Sequence, residues 1–143
     1  MVEAMILNHE NPSHVAADAR LRGEPIIWLT TVAESGQPQS TPVWFLWDGT
    51  EFLIFGSKNG KKTGNVRSNP HVSLHLEGNG AGGGNVIFEG TATVDEAGPP
   101  AREVEDYVAK YRERIESYGW TLQSFASDYP HVIRVAPTRA RIW

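Results

Sequence analysis

The sequence predicts a mainly β fold, an antiparallel barrel with helices packed on its outside. Three observations carry this expectation. Six short apolar runs of strand length are separated mostly by turn residues. Two of them are joined by Asp48-Gly49, a dipeptide suited to tight hairpins. Helix signals gather at the start of the chain and near its end.

Taken in order, Asn11-Pro12 reads as a helix cap with proline in the first turn. The helix that follows carries Val15, Ala16, Ala19 and Leu21 and stops near Gly23 and Pro25. Ile26–Ala33 is a β-branched strand, turned by Ser35-Gly36-Gln37-Pro38. Strands follow at Ser40–Trp47 and Glu51–Phe55, then a short helix at Lys61–Ser68. The strand–helix–strand piece at Glu51–Glu77 is too short for a full Rossmann unit. Val72–Glu77 alternates as a strand does, Gly78–Gly84 is a flexible loop, and Val86–Val94 is the next strand. Pro99-Pro100 opens a helix with apolar residues at Val104, Tyr107, Val108, Tyr111, Ile115 and Tyr118, a single buried stripe. A short helix at Thr121–Ala126 precedes a last strand, Val132–Ala136 and Ala140–Trp143 around Pro137. Most of the five tryptophans are expected in the core. Trp44 and Trp47 are an odd number of residues apart, so a regular strand sends them to opposite faces.

With 143 residues, 40% apolar and 21% charged, the chain is read as one domain, residues 1–143, with one core. A net charge of −4 argues against a nucleic-acid binder. The lack of cysteine excludes disulfides, thiol nucleophiles, iron–sulfur clusters and Cys-type zinc sites, and fits a reducing cytosol. No apolar run reaches the roughly 20 residues of a membrane span, and the opening MVEAMILNHENPSH has no signal-peptide pattern, so a cytoplasmic protein is expected.

Chemistry concentrates between Thr41 and Pro70. The strand Phe52–Phe55 runs into Gly56-Ser57 and three lysines, Lys58, Lys61 and Lys62, with Asn65 close behind. A hydrophobic strand that opens into small residues and cations suits a ligand with a flat ring and an anionic tail. Two other signals are weaker. Gly78-Asn79-Gly80-Ala81-Gly82-Gly83 matches GxGxxG literally, but a strand follows it where a dinucleotide site needs a helix. His71 and His75 fall on a strand, where four residues span about 13 Å, too far to share a metal ion. No metal site is assigned.

The segments TPVWFLWDG (Thr41–Gly49), FLIFGSKNGKKTGNVRSNPHVSLHLEG (Phe52–Gly78), VIFEGTATV (Val86–Val94) and HVIRVAPTRARIW (His131–Trp143) resemble the pyridoxamine-phosphate-oxidase-like, flavin-binding split-barrel superfamily. Within it they are most similar to the branch of deazaflavin (coenzyme F420)-dependent oxidoreductases. The resemblance covers nearly all of the chain after Leu21. It implies a six-stranded antiparallel split barrel, a homodimer, and a cofactor groove between subunits.

Site residues carry over one at a time. An Arg-Lys pair that grips the flavin phosphate lies seven and eight residues before an Asn-Pro in the oxidases, which gives Lys62 and Lys61 ahead of Asn69-Pro70 here. A glutamine before a Glu-Gly matches Asn85, and a tryptophan beyond an Arg-Leu-x-Pro matches Trp143. Where the oxidases place an arginine and a lysine on the first groove strand, this chain has Thr41 and Leu46, with Pro42 beside the first. No Arg-x-His follows Trp143, so oxidation of pyridoxamine phosphate is not expected. The Pro42-Val43-Trp44-Phe45 strand resembles the deazaflavin branch, where the ring lies along this strand and a phosphate meets the lysines.

The implied function is hydride transfer between the deazaflavin and a small organic substrate. The implied cofactor-binding set is Thr41, Pro42, Val43, Trp44, Phe55, Gly56, Ser57, Lys58, Lys61, Lys62, Asn65, Asn85 and Trp143. No catalytic acid is assigned, because the spacing of Tyr107, Tyr111 and Tyr118 reads as core. The alternatives are an FMN-binding flavoprotein, or a binder of haem or fatty acid without turnover.

Overall fold

A computed structural model gives the fold, and residues 5–143 are described; the first four, part of the opening segment, lie outside the described residues. Helix α1 (Pro12–Gly23) starts where expected, with the Asn11 side chain accepting from the Ser13 N–H. It buries Ala17 and Leu21, and leaves Val15, Ala16 and Ala19 exposed. Strands β1 (Ile27–Val32), β2 (Pro38–Val43), β3 (Leu46–Trp47) and β4 (Phe52–Gly56) follow, then helix α2 (Lys62–Ser68). Strands β5 (His71–His75) and β6 (Val86–Val94), helices α3 (Glu105–Ser117) and α4 (Leu122–Asp128) and the long strand β7 (His131–Ile142) complete the chain. A 3-10 turn at Ala101–Glu103 stands where the sequence predicted the start of the long helix.

Among the described residues the strands number seven, one more than expected, because Ser40–Trp47 is two strands and not one. All pairs are antiparallel, in the order β2-β1-β5-β6-β7-β4-β3. A flat sheet of this order would hold its edges β2 and β3 roughly 29 Å apart. The chain passes from Val43 at the end of β2 to Leu46 at the start of β3. Three peptide steps allow at most roughly 11 Å. The sheet therefore curls until its edges meet, which is the split barrel. Trp44-Phe45 is the split, where the chain leaves one edge for the other.

Alternation places the core. Ile27 and Leu29 of β1, Leu74 of β5, Phe88 of β6 and Val135 of β7 turn into the barrel with Phe45, Trp47 and Phe52. A second cluster fills the space between the barrel's outer wall, at Leu53, Phe55 and Val132, and α3 with α4, at Tyr107, Tyr111, Ile115 and Phe125. A register shift at Glu89/Gly90 lets β7 carry Pro137 without breaking. Trp47 is the tryptophan buried in the barrel, whereas Trp28 and Trp44 are half-buried and Trp120 and Trp143 exposed. The stripe on α3 holds at Tyr107, Tyr111 and Ile115, but Tyr118 lies past the helix end and is 61% exposed. The Gly78–Gly84 loop is tied down: Asn79 accepts from the N–H groups of Ala81 and Gly83, and Arg20 donates to the carbonyls of Gly84 and Glu77. No described helix is long and apolar enough to cross a membrane.

Candidate functional site

Two adjoining cavities open where β2 and β4 end beside α2. The larger, about 360 Å³, has one wall from Pro42, Val43, Trp44, Phe55, Gly56 and Ser57. Its other wall is aromatic and comes from α3, α4 and the turn between them, through Tyr107, Tyr118, Trp120, Phe125 and Tyr129. The smaller, about 300 Å³, is lined by Thr31, Gln39, Thr41, Lys61 and Lys62. Lys62 belongs to both linings, and its burial lowers its pKa.

The first wall follows from the split. Phe45 turns into the barrel, so Trp44 points outward and stacks on Tyr111 at 4.8 Å with 8° between the ring planes. Gly56 ends β4 without a side chain: a Cβ there would come within 3.0 Å of the Thr63 hydroxyl. Asn65 lines neither cavity but braces the smaller one, its amide donating to Thr31 Oγ1 and Gln39 Oε1, both at 3.0 Å.

Burial and charge define what the smaller cavity accepts. Among the described residues, Thr41 Oγ1 and Thr63 Oγ1 are buried without a hydrogen-bond partner. Buried hydroxyls are nearly always bonded, and Thr41, which lines the smaller cavity with Lys61 and Lys62, offers a free donor to an anion with several acceptor oxygens. Lys58 is less available. Its ammonium lies 3.2 Å from the Asp128 carboxylate, and its backbone N–H donates to the Asp128 carbonyl. Arg67 is likewise paired, with Glu96 at 2.6 Å. Leu46, aligned above with a phosphate-gripping lysine, lies on β3 and packs against the outer aromatic cluster.

Asn85 and Trp143 meet each other and not the cavities. Each accepts the other's backbone N–H, at 2.8 and 3.2 Å, and Trp143 is 65% exposed.

Sequence reasoning missed the aromatic wall. Tyr107, expected in the core, is only 1% exposed, yet it also lines the cavity, and desolvation pushes its phenol pKa well up. Tyr118 has the spacing of the same stripe, but the helix ends before it, at Ser117, and Tyr118 lines the cavity. The Gly119-Trp120 step was the available signal, since a glycine one residue past a helix end aims the next residue back at the last turn.

No curated protein matches the chain in sequence. Solved structures do match. A conserved hypothetical protein from Mycobacterium tuberculosis is 23% identical, with a TM-score of 0.68 over 100% of this chain and 89% of that one. A Listeria innocua protein assigned as a pyridoxamine 5'-phosphate oxidase is 25% identical, with a TM-score of 0.64 over 90% of this chain and 95% of that one. A structure named F420 reductase is 24% identical, with a TM-score of 0.63 over 87% and 94%. The sequence profile of one family, pyridoxamine 5'-phosphate oxidase, matches residues 14–143. With that match spanning nearly the whole chain and the curled antiparallel sheet beneath it, this chain belongs to the pyridoxamine 5'-phosphate oxidase family.

Proposed function

We propose that this protein is an oxidoreductase that binds a deazaflavin of the F420 type and acts on a small organic substrate as a homodimer. One observation carries the reading. A ring-sized aromatic cavity adjoins a smaller cationic one, with Lys62 in both linings. That pairing suits a flat ring joined to a phosphate-bearing tail, and the unpartnered Thr41 hydroxyl in the smaller cavity fits the phosphate.

When bound, the deazaflavin supplies a hydride donor. The chain's own residues do the rest. Pro42–Trp44 and Gly56 give the ring a flat seat, Lys61 and Lys62 neutralise the phosphate, and the aromatic wall keeps water from the reacting face. The deazaflavin is preferred over FMN because the smaller cavity offers two lysines to a phosphate, and the neutral Thr41 and Leu46 stand at the aligned cationic positions. The longer anionic tail of the deazaflavin can recruit Lys58 and Arg67, whose exposed ion pairs with Asp128 and Glu96 are weak enough to exchange. Asn85 and Trp143, away from the cavities of their own chain, reach the cofactor of a second copy.

Titrating the deazaflavin against tryptophan fluorescence tests the reading. Saturable quenching that is lost when Lys61 and Lys62 are both alanine supports it; no quenching of the unaltered chain contradicts it.

A further inference from the structure

Asn65 lies outside both cavities, yet its amide nitrogen serves one of them. It donates to Thr31 Oγ1 and to Gln39 Oε1, each at 3.0 Å, and both acceptors belong to residues that line the smaller cavity.

The fold sets up this meeting. Thr31 continues the inward row of β1 after Ile27 and Leu29, so a polar residue follows two apolar ones at the open end of the barrel. Gln39 is its partner across β1 and β2. Asn65 reaches both from α2, where its backbone N–H bonds to the Lys61 carbonyl at 3.0 Å. Residues four apart on a helix share a side, so Asn65 and Lys61 approach the cavity together.

The bonds also fix a direction. A hydroxyl has one hydrogen besides its lone pairs, and an amide has an acceptor end and a donor end. Thr31 is 2% exposed, and among the described residues its hydroxyl has Asn65 as its one partner. Because Thr31 accepts there, its own hydrogen is left for the cavity. Gln39 turns its oxygen to Asn65, which leaves its NH2 group for the cavity. Lys61 and Lys62, on the same lining, carry donors only. Without the Asn65 amide, Thr31 and Gln39 would be free to present lone pairs instead.

We propose that Asn65 is a positioning residue that sets the polarity of the smaller cavity: it holds Thr31 and Gln39 as donors, so the cavity selects an anionic group whose oxygens only accept. The assignment rests on the reading above of this cavity as the seat of an anion, and extends it from charge to direction. Lysines alone draw any anion, whereas oriented donors favour bare oxygens over protonated ones.

Equilibrium dialysis of the full chain with labelled sulfate, an anion whose oxygens only accept, tests this. Thr31→Val removes the oriented hydroxyl and should weaken sulfate about tenfold, while Thr31→Ser, which keeps it, should stay within about threefold of the unaltered chain. Asn65→Leu should weaken sulfate at least about threefold. Asn65→Asp should weaken it at least as much, because the carboxylate takes the Thr31 hydrogen and adds a negative charge. The deciding measurement is Asn65→Leu made in a chain that already carries Thr31→Val and Gln39→Leu. There it should change sulfate affinity less than about twofold, since nothing is left for Asn65 to orient. Equal weakening by Asn65→Leu in both backgrounds would mean that Asn65 only supports α2, and overturns the proposal. Unchanged affinity in Asn65→Leu or Asn65→Asp, or no sulfate binding by the unaltered chain, overturns it as well. A chain that shows the expected sulfate pattern but does not bind the deazaflavin contradicts the cofactor reading and leaves the role of Asn65 standing.

Discussion

The phenol oxygen of Tyr111 lies 2.8 Å from the backbone nitrogen of Phe45, across the split between the two edges of the sheet. Phe45 belongs to neither β2 nor β3, so no strand partner takes its N–H. The Tyr111 hydroxyl accepts that N–H and donates its own proton to the Pro25 carbonyl at 2.8 Å. Lys110 donates to the Phe45 carbonyl at 2.9 Å. Two side chains of α3 thus complete the backbone pairing that the barrel lacks there, and the same contacts hold Trp44 against the cavity.

Replacing Tyr111 by phenylalanine should therefore cost roughly 1–3 kcal/mol, the penalty of a buried N–H left without a partner. Urea denaturation measures it. Tyr107→Phe is the comparison: Tyr107 is buried in the same cluster, has no such backbone bond among the described residues, and should cost clearly less. Equal losses in the two variants would contradict a role for Tyr111 in closing the split.

Lys110 carries a pH signature. Burial lowers its pKa to about 8, with Glu24 opposing the shift. Between that value and the ordinary lysine range the unfolded chain holds the extra proton, so this group's contribution to stability rises with pH from about 8 to about 10.5. The wild type should gain stability over Lys110→Met across that window. Arg22, Asp48 and Asp106, which share the neighbouring open cavity, cancel in the difference. A difference that stays flat from pH 7 to pH 10.5 would show that Lys110 titrates normally.

Lys62→Ala should weaken deazaflavin binding by roughly 10- to 100-fold, the loss of a charge-assisted contact of about 1.5–3 kcal/mol. The melting temperature should barely move, because Lys62 forms no salt bridge among the described residues and its desolvation is removed with it. Unchanged affinity in a folded variant would place the phosphate elsewhere.

The strands were legible where both faces have distinct environments. Val86–Val94 and Ile27–Val32, legible as apolar, β-branched runs, alternate in burial. The split at Trp44-Phe45 was not, because apolar strand formers flank it on both sides. What takes up the unpaired backbone N–H there is a tyrosine 66 residues away. Similarly, the lysine run was visible locally, but the pairing of Lys58 with Asp128 depends on a contact 70 residues distant. Tyr118 kept the three-four spacing of the buried stripe, and only the helix end at Gly119 frees it.

A homodimer is the expected solution state under the proposal that Asn85 and Trp143, which line neither cavity of their own chain, reach the cofactor of a second copy. Light scattering at micromolar concentration should give twice the 15.8 kDa chain mass. Trp143→Ala should weaken deazaflavin binding without loss of the barrel. A stable monomer that binds the deazaflavin at full affinity would contradict this assembly.

The most direct test of the central claim is a competitive titration of the deazaflavin and FMN on the purified chain at low and high salt. The deazaflavin should bind more tightly, by about 100-fold or more if two cationic contacts worth at least about 1.5 kcal/mol each are missing for FMN, and the preference should narrow as salt screens the lysines. Protein that keeps stoichiometric FMN through dialysis and does not exchange it for the deazaflavin would contradict the account.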